Sequence, residues 1–127
     1  MRIEGWEAAL AEFTSNPPPF AWGQADCALW CADWVALATG QDFAGDWRGE
    51  YSSEAELGVL LAARGLTSHG DIPGSVGLEE INPAFAQRGD IVMHTQGCLG
   101  ICTGLLAVYL TETGLTTLRG RCRAWRV

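Results

Sequence analysis

Ile3, Trp6, Leu10 and Phe13 recur at helical spacing, which predicts an amphipathic helix over residues 3–14 that stops before the Pro17-Pro18-Pro19 turn. A second helix is expected from an N-cap at Asp26 to Thr39, with Gly40 as its stop. Its apolar residues, among them Leu29, Trp30, Trp34, Val35 and Leu37, cover almost every face, the mark of a helix enclosed by the rest of the domain. Ser53 and Glu56 form a capping-box pair ahead of Leu57, Leu60 and Leu61, and Gly65 ends that third helix. Residues 66–88 are rich in Gly and Pro and read as a long loop with one short strand. The last third reads as strand in three runs, 89–94, 99–110 and 114–127, separated by Gly-containing turns. Helices first and an antiparallel sheet afterwards is the α+β pattern.

With 127 residues and 48% hydrophobic composition, the chain is expected to be one domain, residues 1–127, folding without cross-links. No apolar run reaches the roughly 18 to 20 residues of a membrane span, and the acidic amphipathic start does not read as a signal peptide. The expectation is therefore a protein kept in the cytosol or packed into a particle assembled there. A net charge of −7 argues against nucleic acid as a partner. Its distribution is uneven: residues 1–90 hold fourteen acids and four Arg, net −10, whereas residues 91–127 hold one acid and four Arg, net +3. Arg119, Arg121 and Arg123 alternate, which in a strand places them on one face, and with Arg126 they suit docking to carboxylates of a partner protein. A solvated strand edge guarded against aggregation accounts for them equally well.

Five cysteines without a secretory signal do not suggest a disulfide framework. Cys27 and Cys31, with Cys98 and Cys102, make two C-x-x-x-C pairs that can be read as a four-thiolate metal site. The first pair shares a helix face, but four residues apart in a strand is about 13 Å, so such a site requires residues 98–102 to be a loop. No metal or cofactor is expected. Cys27 matters more as a thiol at a helix start, where unpaired N–H groups favour the thiolate while the Asp26 carboxylate opposes it. The plainer reading is a small buried hydrophobe.

These elements resemble a known family. Asp26-Cys27 at the start of a buried helix, then Gly89-Asp90-Ile91-Val92 opening a strand, then Leu99-Gly100-Ile101 in the next, is similar to the NlpC-type papain-like cell-wall peptidases. A closer resemblance is to small phage and prophage tail-region proteins. It is carried by Trp22-Gly23, Asp26-Cys27, Ala32-Asp33, Thr39-Gly40-Gln41-Asp42, Arg48-Gly49-Glu50-Tyr51, Gly89-Asp90 and Ala124-Trp125-Arg126-Val127. The resemblance implies an NlpC-like papain fold, helices packed on a C-terminal antiparallel sheet, and a tail-tip (baseplate) or tail-assembly role in the virion. Its implied partners are other tail-tip or hub proteins, with peptidoglycan as a possible substrate.

The family's histidine stands immediately before the hydrophobic-Gly-Ile element, and here that place is Cys98. The departure implies a component without catalytic activity, a pseudoenzyme. The alternative is an active thiol peptidase cutting peptidoglycan peptides during phage entry, with Cys27 as nucleophile and Asp26 beside it. His69 lies in the Gly-rich loop. His94 ends the strand that neighbours the family's histidine strand, where facing Cβ atoms are about 5 Å apart, so in the active reading His94 is the candidate substitute base; the plainer reading is a strand-end residue hydrogen-bonded to backbone or water. Six tryptophans serve packing first, and Trp22 and Trp47, in predicted loops, are the candidates for a sugar or partner surface.

Overall fold

The computed structural model describes residues 1–127. Four helices, α1 (Trp6–Ser15), α2 (Cys27–Thr39), α3 (Glu54–Ala63) and α4 (Ile72–Ser75), precede a six-stranded sheet. Its strands are β1 (Glu80–Ile81), β2 (Ile91–Met93), β3 (Leu99–Cys102), β4 (Ala107–Thr111), β5 (Gly114–Leu118) and β6 (Arg123–Trp125), in the order β1-β6-β2-β3-β4-β5. Every pairing is antiparallel, so the domain is α+β.

The helix ends follow from local chemistry. Asp26 caps α2 by accepting the Leu29 N–H, and Gly40 closes it at φ 77°, a left-handed conformation that glycine adopts without a Cβ clash. Ser53 caps α3 through the Glu56 N–H. The helix expected over 3–14 begins later, at Trp6, because Gly5 turns the chain at φ 78°.

α2 is the centre of the fold. Leu29, Trp30, Cys31, Trp34, Val35 and Ala38 are buried, and Leu37 alone among its large apolar residues is exposed. On one side Phe13 of α1 stacks on Trp30 with ring centroids 5.3 Å apart. On another, Ile91, Leu99, Ile101 and Trp125 bring the inner face of the sheet onto it. Burial of an aromatic or branched side chain contributes about 1.5–3 kcal/mol, so this layer supplies much of the stability.

Two of the three predicted strand runs are divided. Residues 99–110 split into β3 and β4 around Gly104, which sits at φ 126°, with Thr103 and Leu106 closing the turn between them. Residues 114–127 split into β5 and β6, separated by 119–122. The region expected as a loop with one strand holds β1, α4 and one-turn 3-10 helices at His69–Asp71 and Pro83–Phe85. The first of these turns carries a capping box, Ser68 and Asp71 satisfying each other's backbone N–H groups.

Asp90, fully buried, joins the ends of the chain. It accepts from the Gln87 N–H at 2.9 Å, the Val127 N–H at 3.0 Å and the Arg2 guanidinium at 2.8 Å. The preceding Gly89 offers its carbonyl to Trp34 Nε1 at 2.8 Å. The Gly89-Asp90 pair thus ties α2, β2 and both termini to one point.

Candidate thiol site at the start of α2

The run from Trp22 to Cys27 builds a buried polar anchor. Asp26 is 1% exposed and uses both carboxylate oxygens: Oδ1 accepts from Leu29 N–H at 2.9 Å, and Oδ2 accepts from Gly23 N–H at 3.0 Å and from the Tyr51 hydroxyl at 2.5 Å. Gly23 makes this possible by adopting φ 78° against the Tyr51 backbone. Burial and the Asp26 carboxylate both push the Tyr51 hydroxyl up, so it stays a donor at any physiological pH. Asp26 therefore acts as a structural anchor for the start of α2.

Cys27 follows as the first residue of α2 and is 6% exposed. The Leu29 and Trp30 N–H groups go to Asp26, while those of Cys27 and Ala28 find no backbone or side-chain acceptor, leaving two donors beside the sulfur.

The imidazole facing Cys27 is His69, from the capped turn between α3 and α4. His69 is half-buried. Its pairing with Cys27 raises its pKa above the ordinary 6.5 against the opposing effect of burial. Cys98 and burial push the Cys27 thiol well above its ordinary 9.0, and His69 pulls it the other way. Cys27 is thus held as a neutral thiol beside a histidine.

His94, the base expected from the strand pattern, lies elsewhere. Its Nδ1 accepts from the Gln96 N–H at 3.2 Å and its ring meets Tyr109 edge-on at 5.9 Å, on the face of the sheet turned away from α2. Leu99 packs toward α2 and pairs with Met93, so the residues one step further along the hairpin, His94 and Cys98, start on the opposite face. His69 was missed because residues 66–88 look like loop. The Ser68-His69-Gly70-Asp71 spacing, a capping pair ahead of Pro73, is the sequence signal for an ordered turn there.

His69 is held by contacts of its turn with β6. Arg123 pairs with Glu80 at 2.8 Å and reaches Asp71 at 3.7 Å. A Cβ added at Gly70 would lie 2.6 Å from an Arg123 guanidinium nitrogen and 2.9 Å from the Met93 sulfur, so a larger residue there has to displace the ends of both side chains.

The four cysteines of the two C-x-x-x-C pairs do not converge. Cys27 and Cys31 lie on the first turns of α2, whereas Cys98 and Cys102 pack with the cluster on the other face of the sheet, where Arg121 Nη1 donates to the Cys102 sulfur at 2.9 Å. No group of three or more potential ligands is placed to hold a metal ion.

The arginine comb does not form either, because residues 119–122 lie outside any strand. Arg121 bonds Cys102 and the Gly104 carbonyl, Arg123 pairs with Glu80 and Asp71, and Arg126 reaches Asp90 at 3.5 Å. Arg119 is the one member without a hydrogen bond or ion pair, and three of the four are spent on the fold. Of the loop tryptophans, Trp47 is 5% exposed under the Arg64 guanidinium, and Trp22 is half-buried, edge-on to Phe20. Trp47 is core.

Other residues of the phage-type pattern have structural tasks. Asp33 and Asp42 both pair with Arg48, at 2.8 and 3.1 Å, which pins the segment after α2 back onto the helix. Tyr51 then delivers its hydroxyl to Asp26.

No helix is long and apolar enough to cross a membrane. No curated protein and no solved structure matches the chain. One family model does, over residues 1–127, and the chain accordingly belongs to DUF6950, a domain of unknown function.

Proposed function

We propose that this chain is a thiol hydrolase on an NlpC-like, papain-type fold, with Cys27 as nucleophile and His69, in place of the expected His94, as base. The observation that carries the reading is the pairing of the His69 imidazole with a cysteine at the N-terminus of a buried helix. His69 takes the thiol proton as the sulfur attacks a carbonyl carbon. The Cys27 and Ala28 N–H groups are the donors nearest the developing oxyanion. The imidazolium returns the proton to the leaving amine, and water then releases the acyl group from sulfur. The resemblance to cell-wall peptidases suggests peptide bonds of peptidoglycan as substrate and a phage tail tip, assembled in the bacterial cytoplasm, as the setting.

The test is hydrolysis of peptidoglycan peptides by the wild type and by Cys27→Ala, His69→Ala and His94→Ala. Activity is expected to vanish in the first, to fall on the order of 100-fold or more in the second, and to persist in the third. No hydrolysis by the wild type, with a Cys27 thiol inert until unfolding, overturns the reading.

A second reading, a tail-tip or tail-assembly component without catalysis, is favoured by Cys98 at the family's histidine position and by the 6% exposure of Cys27. In that case Cys27→Ala assembles like the wild type. Arg119, free of internal partners, is then the member of the basic terminus to substitute in a search for tail-tip or hub partners.

A further inference from the structure

The Pro83–Phe85 turn and the turn between β3 and β4 form the two walls of an open groove of about 520 Å³. Asn82, Pro83 and Ala84 line one wall, Gly104 and Leu105 the other, and Arg121 completes the lining. The groove belongs to the side of the sheet turned away from α2, where Ala86, a further lining residue, packs in the cluster that holds Cys102. Local bonds fix both walls. Asn82 Oδ1 accepts from the Ala84 N–H at 2.9 Å, and the Thr103 N–H bonds the Leu106 carbonyl at 2.9 Å.

Arg121 is fixed as well, but its charge is unanswered. Nη1 donates to the Cys102 sulfur at 2.9 Å and Nη2 to the Gly104 carbonyl at 2.8 Å, both uncharged acceptors. The Nε–H and the second proton on each Nη have no acceptor. No carboxylate pairs with Arg121, whereas Arg2, Arg48, Arg123 and Arg126 each have one. Between Ile81 and Thr111 the one acid is Asp90, fully buried and engaged with Arg2 and the Val127 N–H. A half-buried guanidinium that has lost hydration without gaining a counter-charge favours an anion beside it.

The rims of the groove say how large that anion's carrier is. Leu105 is 81% exposed and Phe85 68%, and the neighbouring Leu106 is exposed too. A small acid seated on Arg121 leaves these side chains in water, whereas a length of chain covers them. A volume of about 520 Å³ lies within the range of about 300–1,000 Å³ common to ligand sites.

We infer that this groove docks a short peptide segment of a partner protein, one that carries an Asp or Glu side chain between apolar residues. The carboxylate takes the free N–H groups of Arg121, and the flanking apolar side chains lie against Leu105 on one wall and Pro83 and Ala84 on the other. A second copy of this chain is a poorer occupant, because two copies of net charge −7 repel each other. The docking is independent of the thiol at the start of α2.

The test titrates the isotope-labelled full chain with the probe peptide acetyl-Ala-Leu-Asp-Leu-Ala-amide and with its Asn counterpart, followed by NMR. Saturable shifts of the Arg121 Nε–H and of the Ala84, Gly104 and Leu105 amides are expected with the Asp peptide. Its affinity should exceed that of the Asn peptide on the order of tenfold and fall as salt is raised. Arg121→Gln removes that discrimination. Because this change also takes bonds from Cys102 and Gly104, Leu105→Asp serves as a second variant, at an exposed position outside the core, and should abolish binding of both peptides. Equal binding of the two peptides, shifts confined to another surface, or no saturable shift overturns the inference. The same response to acetate alone also overturns it, by making the groove a small-anion site. Self-association that is lost in Leu105→Asp does so too, by making the occupant a second copy.

Discussion

The Tyr51 hydroxyl donates to Asp26 Oδ2 at 2.5 Å, joining the segment after α2 to the cap that starts it. Both groups are buried, and the same carboxylate oxygen also holds the Gly23 N–H. The loop before α2, its first turn and the distant Tyr51 thus meet on one side chain, immediately before the candidate nucleophile.

Tyr51→Phe removes that donor and leaves the Asp26 carboxylate with two N–H partners in a buried setting. Hydrogen bonds to a charged group contribute about 1.5–3 kcal/mol, and a loss in that range is expected in urea unfolding. An unchanged midpoint would show that the hydroxyl contributes nothing to anchoring α2.

Gly23→Ala is expected to be far more damaging. Its Cβ would lie 1.8 Å from the Tyr51 carbonyl oxygen, at φ 78°, so clash and backbone strain act together. A loss of roughly 3 kcal/mol or more, read by thermal unfolding, or failure to accumulate as folded protein is the outcome anticipated.

The pH dependence follows from His69 and Cys27. His69 is raised above 6.5, so its contribution to stability is complete below that value and is lost as pH rises through the folded value. Cys27 is raised above 9.0, so the folded state holds the thiol proton more tightly than the unfolded one and loses further stability once pH passes that value. Unfolding midpoints should therefore decline from mildly acid to alkaline pH, and His69→Ala should flatten the first part of the decline. The same substitution removes the group that pulls Cys27 down, so the alkylation profile of Cys27 should move to higher pH. A shift to lower pH would contradict the pairing.

Arg123→Ala cuts the link from β6 to the turn that carries His69. The ion pairs are partly exposed, so the effect on stability should stay within about 1 kcal/mol. If the site hydrolyses peptides, kcat should fall more than KM changes, because Arg123 touches neither Cys27 nor substrate and acts only through the position of His69. Equal activity with and without Arg123 would show that the turn is held by Gly70 and Met93 alone.

Much of the helical layer was legible from residues 1–65. Asp26, Gly40 and Ser53 are caps whose chemistry is local, and the apolar surface of α2 announces burial without reference to a partner. The sheet was less legible. Apolar runs such as 99–110 do not say where a strand breaks, because the turn at Gly104 depends on a backbone conformation that many interior glycines never adopt. The arginines illustrate the same limit: alternation predicts one face only within a strand, and Arg119 and Arg121 precede β6.

The sequence alone determined the thiol at a helix N-terminus, the α+β order of elements and the choice of only two histidines, His69 and His94, since each is a matter of residue type and short-range spacing. Tertiary structure decided which imidazole meets Cys27. His94 looked closer along the sheet, but strand alternation starts it on the outer face, whereas His69 arrives through a capped turn held by Arg123 and Gly70. Which side chains meet across some forty residues of chain depends on packing between elements, and no local pattern encodes that.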